Sequence, residues 1–154
     1  MNSILFVCLG NICRSPLAEG VLQHKIDAAG LTTRFVLDSA GCGGWHAGEP
    51  PDRRSIAVAA RHGVAIDTQT ARQLKSDDFD RFDLILGMDR DNVAYLKAQQ
   101  PRGSKARVAL YLEEALGEAK NVPDPYYGTD ADFHKVYDVC DRASDALLAR
   151  LATH

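Results

Sequence analysis

Hydrophobic positions along the chain fall into short unbroken runs, separated by stretches where they recur at helical spacing. Ser3 to Val7 (Ser-Ile-Leu-Phe-Val) is apolar and partly β-branched without alternation, the pattern of a strand covered on both faces. After a loop, Ser15-Pro16 reads as an N-cap followed by proline at the first helical position. Leu17, Val21, Leu22 and Ile26 then recur at helical spacing until Gly30 ends them. Phe35 to Leu37 predicts a second short strand ending at Asp38-Ser39. Ala40 to Pro51 follows as a long loop, because Gly41, Gly43, Gly44, Gly48, Pro50 and Pro51 crowd into it. Asp52 is placed to cap a helix through His62, closed by Gly63. The acidic stretch Ser76 to Asp83 predicts a solvated helix start. Asp83 to Met88 predicts a third strand that delivers Asp89 at its C-terminal end, before a helix that stops near Gln99 at Pro101. Arg107 to Leu110 is the fourth strand. Beyond a loop at Asn121 to Gly128, a last helix aligns Phe133, Val136, Tyr137, Cys140, Leu147 and Leu151 on one face.

Short strands alternating with helices predict right-handed βαβ units, hence an α/β fold in three layers with a parallel sheet between helices. In such sheets ligands bind beyond the carboxyl ends of the strands, where the loops after Val7, Leu37 and Met88 converge. The length of 154 residues, with no linker and no repeat, predicts a single domain over 1–154. A net charge of −3 argues against a broad nucleic-acid footprint but leaves room for a single phosphate group. The apolar run at the N-terminus is too short for a signal-peptide core or a membrane span. Cysteines at 8, 13, 42 and 140, with no CxxC pair, therefore read as reduced thiols of a cytoplasmic protein. None of the five histidines has metal-like spacing, so neither a metal nor another cofactor is expected.

The candidate chemistry concentrates in Cys8-Leu9-Gly10-Asn11-Ile12-Cys13-Arg14-Ser15, between the first strand and the first helix. A phosphate monoester dianion needs several donors in a ring. A tight loop leading into a helix N-terminus turns successive backbone N–H groups inward to make one, with Gly10 supplying permissive backbone angles. Arg14 at the rim can add two parallel charge-assisted bonds, and its positive charge at a helix N-terminus is otherwise unfavourable. The same donors favour a thiolate at Cys8, making it a nucleophile, while Ser15 can donate to its sulfur as it leaves. Cys13 has two open readings: a partner for Cys8 in a protective disulfide, or a small buried filler. Pro123-Asp124-Pro125 offers a carboxylic acid on a stiffened loop to protonate a leaving oxygen, and Tyr126, Tyr127 and Trp45 are rings able to wall a slot for an aryl phosphate. Tyr126 or Tyr127 could equally serve the core, and Trp45 could equally anchor its loop. Asp38, Ser39 and Asp89, at strand ends, read as hydrogen-bonding support for the cradle.

Four stretches together resemble the low-molecular-weight protein-tyrosine phosphatases over nearly the whole chain. They are Val7 to Pro16, Asp38-Ser39-Ala40-Gly41 leading to Gly44-Trp45-His46, Ala71-Arg72-Gln73-Leu74, and Pro123 to Gly128. The resemblance implies a four-stranded parallel sheet in the order 2-1-3-4 and a metal-free, two-step reaction through a phosphocysteine. In it Cys8 is the nucleophile, Arg14 the phosphate clamp and Asp124 the general acid and then base. It implies Asn11 and Ser39 as a loop-shaping pair, and Leu9, Ile12, Trp45, Tyr126 and Tyr127 as the substrate slot. Gln69 stands where animal members carry a histidine that braces the loop asparagine. Bacterial members acting on phosphoarginine resemble this loop with Thr in place of Ile12, so Ile12 argues for tyrosine. The implied partners are phosphotyrosine-containing proteins, in a bacterium a tyrosine kinase of capsule or exopolysaccharide export. The chain itself is expected to be a monomer or to self-associate weakly through Tyr126 and Tyr127. Two other readings share the loop. A thiol-dependent arsenate reductase resembles a variant with further cysteines near residue 80, which this chain lacks between Cys42 and Cys140. A phosphate-binding module without catalysis would need neither thiolate nor acid.

Overall fold

The computed structural model describes residues 1–153. Four parallel strands, β1 (Asn2–Cys8), β2 (Phe35–Gly41), β3 (Leu84–Gly87) and β4 (Arg107–Leu110), form one sheet in the order β2-β1-β3-β4. The order puts the most apolar strand in the middle. β1 pairs along its length with β2, from Asn2↔Phe35 to Cys8↔Gly41, and with β3 from Ile4↔Leu84 to Val7↔Gly87. That pairing carries β2 through Asp38 and Ser39, four residues past the Leu37 at which the apolar run ends. Ladder hydrogen bonds to β1 outweigh the poor strand propensity of Asp and Gly there.

Period-two alternation sorts β1 between two cores. Ile4, Phe6 and Cys8 face a layer built by α1 (Arg14–Ala28), α2 (Arg53–Arg61), α5 (Tyr111–Leu116) and α6 (Asp130–Leu151). Leu5 and Val7 face a smaller cluster with Phe79 and Phe82, beside α3 (Asp78–Arg81), and Leu96 of α4 (Arg90–Gln99). Helices thus cover both faces of the sheet, as the unbroken apolar runs predict. Among the described residues no helix is long and apolar enough to cross a membrane.

Three local expectations are corrected. Helix α1 begins at Arg14, one residue before the expected cap, and its N-cap Cys13 makes no side-chain capping bond. The Ser15 hydroxyl is drawn into the loop instead. Asp78 is not solvated. It is fully buried and accepts a bidentate pair from Arg72, Nη1 to Oδ2 at 2.9 Å and Nη2 to Oδ1 at 3.0 Å, so its charge is matched inside the fold. The loop residue with left-handed backbone is Asn11 (φ 61°), not Gly10. The value of Gly10 is its missing side chain, since a Cβ there would stand 3.0 Å from His46 Cδ2.

Candidate active site

The loop from Leu9 to Cys13 joins β1 to α1 at the carboxyl edge of the sheet. Its outward carbonyls are occupied: Cys42 N–H donates to Cys8 O, Gly43 N–H to Leu9 O, and Asp52 N–H to Ile12 O. Among the described residues none of the backbone N–H groups of Leu9 to Cys13 donates to a protein acceptor. Those donors stand ready for an anion at the N-terminus of α1.

Asn11 is held in its left-handed conformation from three sides. Its amide donates to Ser15 Oγ and to Ser39 Oγ, both at 2.9 Å, and its carbonyl accepts the Arg72 backbone N–H at 3.0 Å. Asn tolerates this backbone region better than most residues, and a network this complete fixes it there. The Asn11 amide fills one acceptor position on Ser15, whose hydroxyl stands 3.0 Å from Cys8 Sγ, placed to donate to the sulfur once it is a thiolate. Arg72 reaches Asn11 because segment 72–74 zips onto the end of β2, with Gly41 N–H donating to Arg72 O and Leu74 N–H to Gly41 O. Its guanidinium spans Asp38 and Asp78, tying the loop to α3. Gln69 does not brace Asn11; its amide donates to Pro16 O at 3.1 Å, at the start of α1.

Arg14 is buried to all but 2% of its surface. Nη1 donates to Asp89 Oδ2 at 2.7 Å and to the Val122 carbonyl at 2.9 Å, which aims the guanidinium across the mouth of the loop. Burial works against its charge, but Cys8, the hydrogen-bonded Asp89 and Asp124 together outweigh it and raise the pKa. Asp89 combines this task with capping α4, where it and Asn92 form a reciprocal capping box. Asp124 Oδ2 lies 3.6 Å from Arg14 Nη2, while Oδ1 accepts the Tyr126 N–H at 3.1 Å, so the carboxylate is oriented by its own turn.

These groups share one slot of about 200 Å³, lined by Cys8, Ile12, Arg14, Asp124 and the rings of Trp45 and Tyr126, with Leu9, Gly10, Cys13, His46 and Tyr127 completing it. Trp45 is 70% exposed and Tyr127 97%, and Tyr126 also stands at the surface. All three form a rim and none belongs to the core. Of the other candidate residues, Ser15 and Asp89 hydrogen-bond directly to the slot residues Cys8 and Arg14, and Asn11 and Ser39 connect to it through Ser15. Cys13 is a free thiol, as are Cys8, Cys42 and Cys140. Burial, reinforced by Asp52, Cys8 and Asp124, pushes the Cys13 thiol far up, so it stays protonated at neutral pH. Among the described residues no group of His, Cys, Asp and Glu could hold a metal ion.

One participant has no signature in the sequence. Glu19, on the second turn of α1, lies beside Ser39, whose hydroxyl accepts from Asn11 and favours the charged carboxylate. Burial raises its pKa from an ordinary 4.5 to about 7, Asp38 adds to the rise, and Ser39 and Arg72 oppose it. A carboxyl that prefers its proton in the fold lends stability that is complete below about pH 4.5 and is lost as pH climbs through about 7. Glu19→Gln is therefore expected to gain stability relative to the parent between pH 5 and pH 8, read as the difference in urea midpoints. A constant difference would remove Glu19 from this role.

A family model described as low molecular weight phosphotyrosine protein phosphatase matches residues 3–154. The low molecular weight phosphotyrosine protein phosphatase of Schizosaccharomyces pombe is 45% identical over 136 residues, covering 87% of this chain and 86% of its own. The crystal structure of a protein tyrosine phosphatase from Entamoeba histolytica superposes with a TM-score of 0.92 at 37% identity, over 99% of this chain and 98% of that one. Vibrio vulnificus Wzb, solved in complex with benzylphosphonate, superposes with a TM-score of 0.85 at 31% identity, over 97% and 98%. Fold, loop and these relatives agree: the chain belongs to the low molecular weight phosphotyrosine protein phosphatase family.

Proposed function

We propose that this protein hydrolyses phosphotyrosine in proteins through a phosphocysteine, with Cys8 as nucleophile, Arg14 as phosphate clamp and Asp124 as acid and then base. The observation that carries the reading is the Cys8–Ser15 contact beneath a loop of unspent N–H donors, with Arg14 and Asp124 paired at 3.6 Å in the same slot. In the first step the Cys8 thiolate attacks phosphorus, the bond from phosphorus to the phenolic oxygen breaks, and Asp124 gives that oxygen its proton. In the second step the Asp124 carboxylate takes a proton from water, whose oxygen attacks phosphorus. The sulfur leaves as a thiolate that accepts the Ser15 hydroxyl. The loop amides and Arg14 hold the equatorial oxygens throughout, where charge accumulates.

Aromatic and apolar walls at Leu9, Ile12, Trp45, Tyr126 and Tyr127 favour an aryl phosphate over phosphoserine, whose short stem leaves phosphorus out of reach of Cys8. The benzylphosphonate held by Vibrio vulnificus Wzb is a ligand of the same shape. A bacterial tyrosine kinase of polysaccharide export is a fitting partner on this reading. So is a cytoplasmic setting, because a catalytic thiol needs a reducing compartment. The exposed Tyr126 and Tyr127 are the surface through which weak self-association would cover the slot. Hydrolysis of p-nitrophenyl phosphate in chelator and reductant tests the proposal. Turnover that survives the chelator and stops with a thiol alkylating agent is expected. An inactive protein would overturn the reading in favour of a binding module, and arsenate reduction coupled to a thioredoxin would overturn it in favour of a reductase.

A further inference from the structure

Beside the slot lies a second concavity of about 570 Å³, between the length of α2, from Arg53 to Arg61, and the first turns of α6. Its charge runs against that of the chain. Arg53, Arg54, Arg61 and His134 line it, facing only Asp52 and Asp130. Asp52 is already engaged, since it accepts Arg54 Nε at 3.1 Å and Nη2 at 3.0 Å as well as the Arg54 backbone N–H that it caps. Arg61 Nη1 lies 2.6 Å from His134 Nε2, so among the described residues its one side-chain partner is a ring nitrogen and not a carboxylate. Among the described residues the Arg53 guanidinium donates no hydrogen bond, and its side chain is exposed. An acidic protein has thus gathered in one cleft two arginines that, among the described residues, form no ion pair with a carboxylate.

The cleft adjoins the slot through Arg54 and Tyr126. Arg54 stands between them, 5.8 Å from the centroid of Tyr126, which walls the slot, and 4.4 Å from that of Phe133, which floors the cleft. It also donates Nη2 to the Tyr126 carbonyl at 2.9 Å, fixing the wall of the slot that stands next to the cleft. On the other side, Asp52 N–H is bonded to Ile12 O of the cradle. A chain whose phosphotyrosine enters the slot therefore passes the cleft within a few residues, each extended residue spanning about 3.3–3.6 Å.

We propose that this cleft is a second anion subsite, which takes an acidic side chain flanking the phosphotyrosine of the substrate, with Arg53 and Arg61 as its ligands. The inference rests on the phosphatase reading and names which phosphotyrosyl proteins it favours: those with carboxylates beside the modified tyrosine. Arg suits this role because its planar fork meets a carboxylate with two parallel bonds.

The test compares three substrates, p-nitrophenyl phosphate and two phosphotyrosyl peptides flanked by alanines or by glutamates, with the parent protein and an R53Q/R61Q variant. The parent should favour the glutamate peptide roughly 3- to 10-fold through KM, as partly exposed charge pairs do, and the preference should fade near 1 M salt. In the variant the two peptides should converge, with kcat and KM for p-nitrophenyl phosphate unchanged. A parent that treats the peptides alike, or a variant that keeps the preference, overturns the subsite. If the parent turns over no p-nitrophenyl phosphate, the catalytic reading falls on its own evidence. Peptide binding to the Cys8→Ser protein then decides the cleft: tighter, arginine-dependent binding of the glutamate peptide supports it, and equal binding overturns it.

Discussion

Cys8→Ser should reduce aryl phosphate turnover by about 10⁴-fold or more, while leaving the fold and phosphate binding in place. The reasoning is geometric. A serine hydroxyl is smaller than the thiol and fits the same buried position, where Ser15 Oγ now lies 3.0 Å from Cys8 Sγ. The loop's N–H donors, the Arg14 guanidinium and the Asn11 network do not pass through the Cys8 side chain. What the substitution removes is the sulfur nucleophile, and with it the sulfur leaving group that the second step needs. An alkoxide has no comparable access, because among the described residues Ser15, which is not a base, is the one side chain hydrogen-bonded to the Cys8 sulfur. The check is single-turnover and steady-state kinetics, together with phosphate affinity measured by calorimetry. Retained turnover above about one part in 10³ would point to attack by water and would remove the phosphocysteine from the mechanism.

Asp124→Asn is expected to cost about 10²- to 10⁴-fold in kcat/KM toward a phosphotyrosyl peptide, the range for losing a positioned general acid. Asparagine keeps the Oδ1 acceptor that receives the Tyr126 N–H, so the loop retains its turn, but it has no acid proton to transfer. The size of the loss should follow the leaving group. Tyrosine leaves as a phenolate of a phenol with a pKa near about 10 and needs the proton, whereas a nitrophenol leaves readily without it. The ratio of losses between the two substrates thus measures proton transfer directly. Equal losses would mean that Asp124 acts by holding Arg14 Nη2, 3.6 Å from its Oδ2, and not as the acid.

The parts of the fold legible in the sequence were those in which local pattern and tertiary role coincide. The apolar run at Ser3 to Val7 has to be a central strand, and β4 falls on Arg107 to Leu110 as its residues predict. The cradle and the acid loop were legible because their chemistry is written in adjacent residues, Cys8 to Ser15 and Pro123 to Asp124. Asp52 does cap its helix, as predicted. What stayed hidden depends on contacts between distant segments. Arg72 and Asp78 look like surface charges one by one, and only the zipping of segment 72–74 onto β2 brings Arg72 to Asn11 and buries Asp78 under it. Glu19 lies on the second turn of α1, where a glutamate is usually solvated, and its link to Ser39 crosses twenty residues of chain. α5 was missed because Tyr111 to Leu116 follows β4 with no turn signal between them. The cationic cleft needs α2 and α6 side by side, which no pattern within either helix announces.

The left-handed Asn11, pinned by Ser15, Ser39 and Arg72, bears on what happens before any substrate arrives. A loop of this kind left free would sample many shapes, and closing it around a phosphate would cost about 1–2 kcal/mol of backbone entropy per residue ordered. Here the ordering is accomplished when the chain folds, since β2 and the 72–74 segment supply the bonds that hold the loop. Affinity for a bare tetrahedral oxyanion is therefore a property of the folded protein itself. Vanadate, arsenate and inorganic phosphate should occupy the cradle with no aromatic group attached, so the concentration of free phosphate around the enzyme sets a ceiling on its working rate.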